Sequence, residues 1–211
     1  MPEIRSEARL GPPVEMPPER RPSERQDKRF RRTERILRET LLEMLQTRRI
    51  VDITTTELCR RADISRNTFY SHYTAVEHLY DDMENEFVRA LMNACEITTD
   101  HEANVASLEH MLELIRENRD LANALAQGHV ITNFFRKLNP LVRQKIRGVE
   151  LAMGGKDVGS SQFEALFLYI FSGARAVIVR WVLYGMIEDP HSVAEMLIMS
   201  SEAVLAARLA F

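Results

Sequence analysis

Cysteine is nearly missing from this chain of 211 residues. Cys59 and Cys95 are its only thiols, too few for a disulfide scaffold or a four-ligand zinc site, and suited to a reducing cytosol. Glycine is also scarce. None occurs between Gly11 and Gly128, which excludes a glycine-rich phosphate loop from more than half the chain. The later run Gly154-Gly155-Lys156-Asp157-Val158-Gly159 lacks the strand and spacing of a phosphate cradle and is read as a loop. No stretch of about 18 uncharged apolar residues exists, so no membrane partner is expected. Glu3, Arg5, Glu7 and Arg9 open the chain without an apolar stretch, unlike a secretory signal. No β-branched alternation points to strands, and the expected fold class is all-α. His72 and His78 lie six apart and no Glu-paired histidine repeat, nucleophile elbow or cofactor turn occurs. No catalytic residue, metal or cofactor is therefore expected, and an enzyme is the least favoured class.

What is present is a charge polarity hidden by a net charge of −3. Residues 26–73 hold 11 Lys/Arg against seven Asp/Glu, whereas residues 74–211 hold 12 against 19. A basic segment on an acidic body gives one face suited to phosphate. Six of the eight prolines fall within the first 22 residues, among mixed charges and few bulky apolar residues. That composition cannot bury enough surface to offset its ordering entropy, so 1–25 is expected to be a disordered tail. Two domains follow, a DNA-binding unit over 26–74 and a helical regulatory and dimerisation body over 75–211.

A first helix is expected from Gln26 to Gln46, with Phe30, Leu37, Leu41 and Leu45 along one face. Thr54-Thr55-Thr56-Glu57 has the form of a capping box and starts a short helix, Thr55 to Ala62. Asp63 tolerates the left-handed conformation that ends such a helix. Ser65 then caps Arg66 to Tyr73. Two short helices across a three-residue turn, braced by a longer one, make a helix-turn-helix. In the second, Arg66, Asn67, Thr68 and His72 offer hydrogen bonds, and Tyr70 and Tyr73 offer hydroxyls on rigid rings. Phe69 is its apolar anchor.

Residues 31–80, and most tightly Thr54 to Tyr73, resemble the TetR/AcrR-like transcriptional regulators; Ser65 to Tyr73 matches that family's recognition-helix signature almost residue for residue. Asp63 stands where many members carry glycine. The resemblance implies that Thr54 and Thr55 approach phosphate, that Ser65, Arg66, Asn67 and Thr68 meet base edges or phosphate, and that Tyr70, His72 and Tyr73 follow the backbone. Family members often place a phosphate-gripping lysine just after this helix, whereas Thr74-Ala75-Val76-Glu77 has none. Lys28, Arg29, Arg31 and Arg32 of the preceding arm are the expected substitutes, lying against backbone or minor groove.

Beyond Ala75 the chain reads as long helices: Ala75–Cys95, Asn104–Asn118, Arg119–Ala126, Asn133–Met153 with a kink or break near Pro140, Ser161–Tyr184 and His191–Ala210. The last two are more apolar than a monomer's surface requires. The resemblance implies a four-helix homodimer interface there, for which Phe163, Phe167, Ile170, Ala174, Val177, Trp181, Met196, Met199, Val204 and Leu209 are the candidates. The spacing Trp181, Gly185, Pro190 also resembles one regulatory-domain type of the family. Members commonly bind a small-molecule effector inside the body; Phe87, Leu91, Met111, Leu114, Phe134, Phe135, Leu138 and Phe171 are the candidate lining. The expected function is a cytoplasmic, homodimeric repressor binding double-stranded DNA at a palindromic operator and released by an effector. The alternative is a ligand-independent activator or adaptor whose body binds another protein.

Overall fold

A computed structural model describes residues 24–127, 131–152 and 161–207, and every regular element among them is helical. The expected tail over 1–25 and loop over 154–159 lie almost wholly or wholly outside these residues, as does Leu209. The elements are α1 (Glu24–Leu45), a 3-10 turn (Ile50–Asp52), α2 (Thr55–Ala62), α3 (Arg66–Tyr70), α4 (Val76–Ala94), α5 (His101–Glu117), α6 (Arg119–Gln127), α7 (Ile131–Ala152), α8 (Ser161–Leu183) and α9 (Pro190–Ala207).

Local chemistry explains most of the boundaries. Thr54 and Ser65 sit in extended backbone just before α2 and α3, and their hydroxyls accept the amides of Glu57 and Thr68 at 3.3 and 3.1 Å. Asp63 closes α2 in the left-handed region at φ 52°, and the Ile64 amide donates back to the Cys59 carbonyl at 3.0 Å. The capping box at Thr54 differs from expectation in one half, because the Glu57 carboxylate is taken by the Arg48 guanidinium. Ser71 to Tyr73, expected to prolong α3, instead leave the helix after Tyr70. Further on, α7 continues through Pro140, contrary to the expected interruption. Phe134, Phe135 and Leu138 are buried on the turns just before the proline, where packing offsets the lost backbone bond.

The corner between α8 and α9 accounts for the Trp181–Gly185–Pro190 spacing. Gly185 takes φ 89°, and the amides of Met186 and Gly185 donate to the carbonyls of Trp181 and Val182 at 2.8 and 3.1 Å, a Schellman closure. The Trp181 indole is buried and donates to the Glu188 carbonyl at 2.9 Å. Asp189 then accepts the Ser192 amide at 3.2 Å and Pro190 occupies the first turn of α9, where no amide is needed.

One continuous core runs from α1 to α9. Leu37, Leu41, Met44, Leu58 and Phe69 have no exposed surface, so α3 hangs on the reading unit by its one large apolar side chain. The same core continues through Leu79, Met83, Phe87 and Leu91 of α4, which follows α3 directly. Against the expectation that no segment qualifies, Phe163–Leu183 is long and apolar enough to cross a membrane by length and composition, with a mean hydropathy of 1.7. Its charges are engaged within the fold: Arg175 lies 5.0 Å from the Phe135 ring centroid and Arg180 pairs with Glu188 at 3.6 Å.

Candidate nucleic-acid interface

Five residues long, α3 buries Phe69 and exposes Arg66, Asn67 and Tyr70. Positions i, i+1 and i+4 share one side of a helix, so these three form a single polar face with an aromatic ring at its end. Ser65 and Thr68 border it, their hydroxyls 2.8 Å apart, and the Ser65 oxygen also serves the cap. Thr54 is exposed and Thr55 half-buried at the start of α2. Lys28, Arg29, Arg31 and Arg32 are exposed along the first part of α1. The structure therefore brings most of the expected contact residues to the surface.

His72 and Tyr73 have internal tasks instead. The His72 ring stacks on Phe30 at 3.7 Å, and its Nδ1 is buried with no hydrogen-bond partner among the described residues. Burial lowers its pKa below the ordinary histidine value, partly opposed by Glu34. The Tyr73 hydroxyl donates to Glu34 at 3.0 Å, and burial is the main reason its pKa is pushed up to about 12. Both residues fasten the end of the reading unit to α1 and are corrections to the expected row of backbone-reaching groups. Thr74, where the family lysine is lacking, bonds to His78.

Behind that fastening lies an ionic network that sequence spacing does not reveal. Arg38 of α1 bonds Glu34 and Glu86, each at 2.8 Å, and lies 3.9 Å from Asp82. Hydrogen bonding to Arg38 holds the Glu86 carboxyl below the usual carboxylate range. The carboxylates of Glu34, Asp82 and Glu86 come within 4.8 Å of one another, a spacing open to a metal ion. Arg38 already supplies the positive charge among them. A second tie joins α4 to α7, where Lys137 bonds the buried Glu84 carboxylate and the Asn85 side-chain oxygen. Thus α4 is held to the reading unit on one side and to the body on the other.

The eight side chains expected to line an effector cavity are distributed differently. Phe87, Phe134, Phe135 and Phe171 form a chain of ring contacts with centroids 5.9, 5.2 and 6.2 Å apart, extended by Phe167 and Phe163. Leu91, Met111 and Leu138 are buried and Leu114 half-buried. None of the eight borders the clefts described below. Of the expected dimer residues, Trp181, Phe163 and Phe167 are buried inside the protomer. Ile170, Ala174, Val177 and Val204 are partly covered, and Met196 and Met199 are exposed. Sequence reasoning missed Leu168, Tyr169, Leu183 and Tyr184, which are exposed on or just after α8.

Residues 105–202 match the TetR-type model described as a transcriptional regulator C-terminal region. The chain belongs to the TetR family of transcriptional regulators. Solved structures share the fold of this TetR-family regulator. One is a TetR-family transcriptional regulator from Streptomyces coelicolor, with a TM-score of 0.62 and 16% identity over 85% of this chain and 83% of that one. Another is a regulator of the TetR/AcrR type from Aquifex aeolicus, with a TM-score of 0.53 and 14% identity over 82% and 99%. A third is the dihydroxyacetone kinase operon activator DhaS, with a TM-score of 0.55 and 15% identity over 85% and 97%. At such identities the likeness is one of fold. No curated protein matches the chain significantly.

Proposed function

We propose that this TetR-family regulator is a cytoplasmic repressor that binds a palindromic operator as a homodimer and is released by a small-molecule effector. The observation carrying the reading is the exposed face of Arg66, Asn67 and Tyr70 on a helix anchored by the fully buried Phe69. Arginine and asparagine offer the bidentate donors and acceptors that major-groove base edges require. The exposed arm from Lys28 to Arg32 supplies sequence-independent phosphate attraction.

A homodimer is supported by the apolar surface left open on α8 and α9. Tyr169 is 69% exposed and Met199 59%, an unfavourable surface for an isolated protomer. Twofold pairing there would give two recognition helices, and specificity doubled over two half-sites. Effector control would operate by population shift, the effector favouring a dimer whose two helices no longer fit successive grooves. The contiguous aromatic contacts in the body favour a second reading, a ligand-independent activator or adaptor, and one structural neighbour is described as an operon activator.

The test is retention of a specifically bound duplex by Asn67→Ala and Tyr70→Ala. Each substitution removes an exposed group, so melting should move little. Asn67→Ala should weaken specific binding by about 5–150-fold, the equivalent of ~1–3 kcal/mol for a base contact. Unchanged retention by both variants would contradict the assignment.

A further inference from the structure

A cleft of about 380 Å³ opens at the junction of the reading unit and the body, away from the aromatic core of α4, α7 and α8. Its walls come from the end of α1 (Leu45), the 3-10 turn (Ile50 and Val51), α4 (Tyr80) and α6 (Ala124). It thus touches both parts of the molecule that must move relative to each other if the reading helices are to be respaced. The volume lies within the range of small-molecule sites.

Tyr80 makes the cleft more than a packing defect. The residue is 3% exposed, and its hydroxyl is buried without a hydrogen-bond partner among the described residues. An orphaned buried donor costs free energy, which an incoming acceptor would recover. Charge at the rim narrows the choice of ligand. The two rim guanidiniums are already matched: Arg48 to Glu57, and Arg49 to Asp52 in a forked pair at 2.9 and 3.1 Å. An anion would have to compete with those carboxylates. Leucine, isoleucine, valine, alanine and the tyrosine ring offer apolar walls.

We propose that this junction is a second, effector-type binding site for a neutral, largely apolar small molecule whose carbonyl or ether oxygen accepts the Tyr80 hydroxyl proton. Bound there, such a molecule would lie between the 3-10 turn and α6 and bias the angle between reading unit and body. That consequence rests on the DNA-binding reading above, whereas occupancy of the cleft does not. The test therefore contains no DNA.

Prodan, an uncharged naphthalene ketone whose emission moves to the blue on leaving water, serves as the probe with the purified full chain. Saturable binding is expected. Tyr80→Phe, which keeps the ring and removes only the hydroxyl, should weaken it roughly fivefold. Ala124→Trp should abolish it by filling the cleft. Because Val51 is 69% exposed, Val51→Trp blocks the mouth without touching the core and decides the matter if the Ala124 variant fails to fold. Tyr169→Glu on the open α8 face should leave the probe's affinity unchanged. The proposal is overturned if no saturable signal appears, if Val51→Trp and Tyr80→Phe both bind as the parent does, or if Tyr169→Glu removes the signal.

Discussion

Along α3 the side chains left at the surface are polar or planar and the apolar one is hidden; along α8 and α9 large apolar side chains are left open. Arg66, Asn67 and Tyr70 face outward while Phe69 is fully buried. Leu168, Tyr169, Met196 and Met199 face outward while Phe163, Phe167 and Trp181 are buried. The same helical backbone therefore presents two unlike surfaces. A polar face with unfilled hydrogen-bonding capacity suits base edges and phosphate, and an apolar face suits another apolar face. The difference teaches that binding DNA and binding a copy are separable properties, written on opposite ends of one continuous core.

The sharpest way to break this separation is at Phe69. Phe69→Ala should cost about 3–5 kcal/mol, read by denaturant titration, and should remove DNA binding by loosening α3. Its neighbour Tyr70, cut back to alanine, should lose DNA while changing stability by no more than about 0.5 kcal/mol. Equal stability losses at the two positions would show that the inner and outer faces are not distinct.

A smaller stability effect with a large change in mass is expected at the other end. Tyr169→Glu combined with Met199→Glu places charge on the open apolar face without creating a cavity. Light scattering should give half the parent mass at the same concentration, with far-ultraviolet circular dichroism preserved. A parent mass retained by this variant would move the interface elsewhere.

The smallest effect is electrostatic and belongs to the body alone. His101 and His191 pair across α5 and α9 with Glu202 and Glu109 at 2.8 and 2.9 Å, and those hydrogen bonds raise both histidine pKa values. Glu102 and Glu195 near His101, and Glu195 and Asp189 near His191, act in the same direction. A raised folded-state pKa means the folded form holds the proton more tightly. The added stability is therefore complete below the ordinary histidine pKa and disappears as pH rises through the raised values. Melting curves across that window should fall less steeply in His101→Asn/His191→Asn than in the parent. Because the pairs are exposed, the difference should be small. His72, whose pKa is lowered, works in the opposite sense and remains in both proteins.

Elements governed by their own neighbours were legible before any coordinates. Thr54, Asp63 and Ser65 set the limits of α2 and the start of α3 because a cap or a left-handed residue acts within four positions. Asp100 carried a similar signal that was overlooked: it accepts the Ala103 amide at 2.8 Å and starts α5 three residues before the expected Asn104. Long-range pairs were not legible. Arg38 with Glu86 and Lys137 with Glu84 join residues about 50 positions apart, and nothing in local spacing selects those partners. The assignment of Tyr73 to DNA failed for the same reason, since Glu34 on α1 takes its hydroxyl. Residue type identified which groups could bind phosphate or bases; only packing decided which of them were already engaged.

Selection of bound duplexes from a random pool by the purified chain tests the DNA-reading claim most directly. The account predicts enrichment of an inverted repeat whose half-site centres lie about 34–36 Å apart or a multiple of that, one for each recognition helix. It also predicts that Asn67→Ala relaxes the preference at matching positions in both halves. A pool that returns no shared sequence, or an Asn67→Ala protein that returns the parent's repeat unchanged, would contradict it.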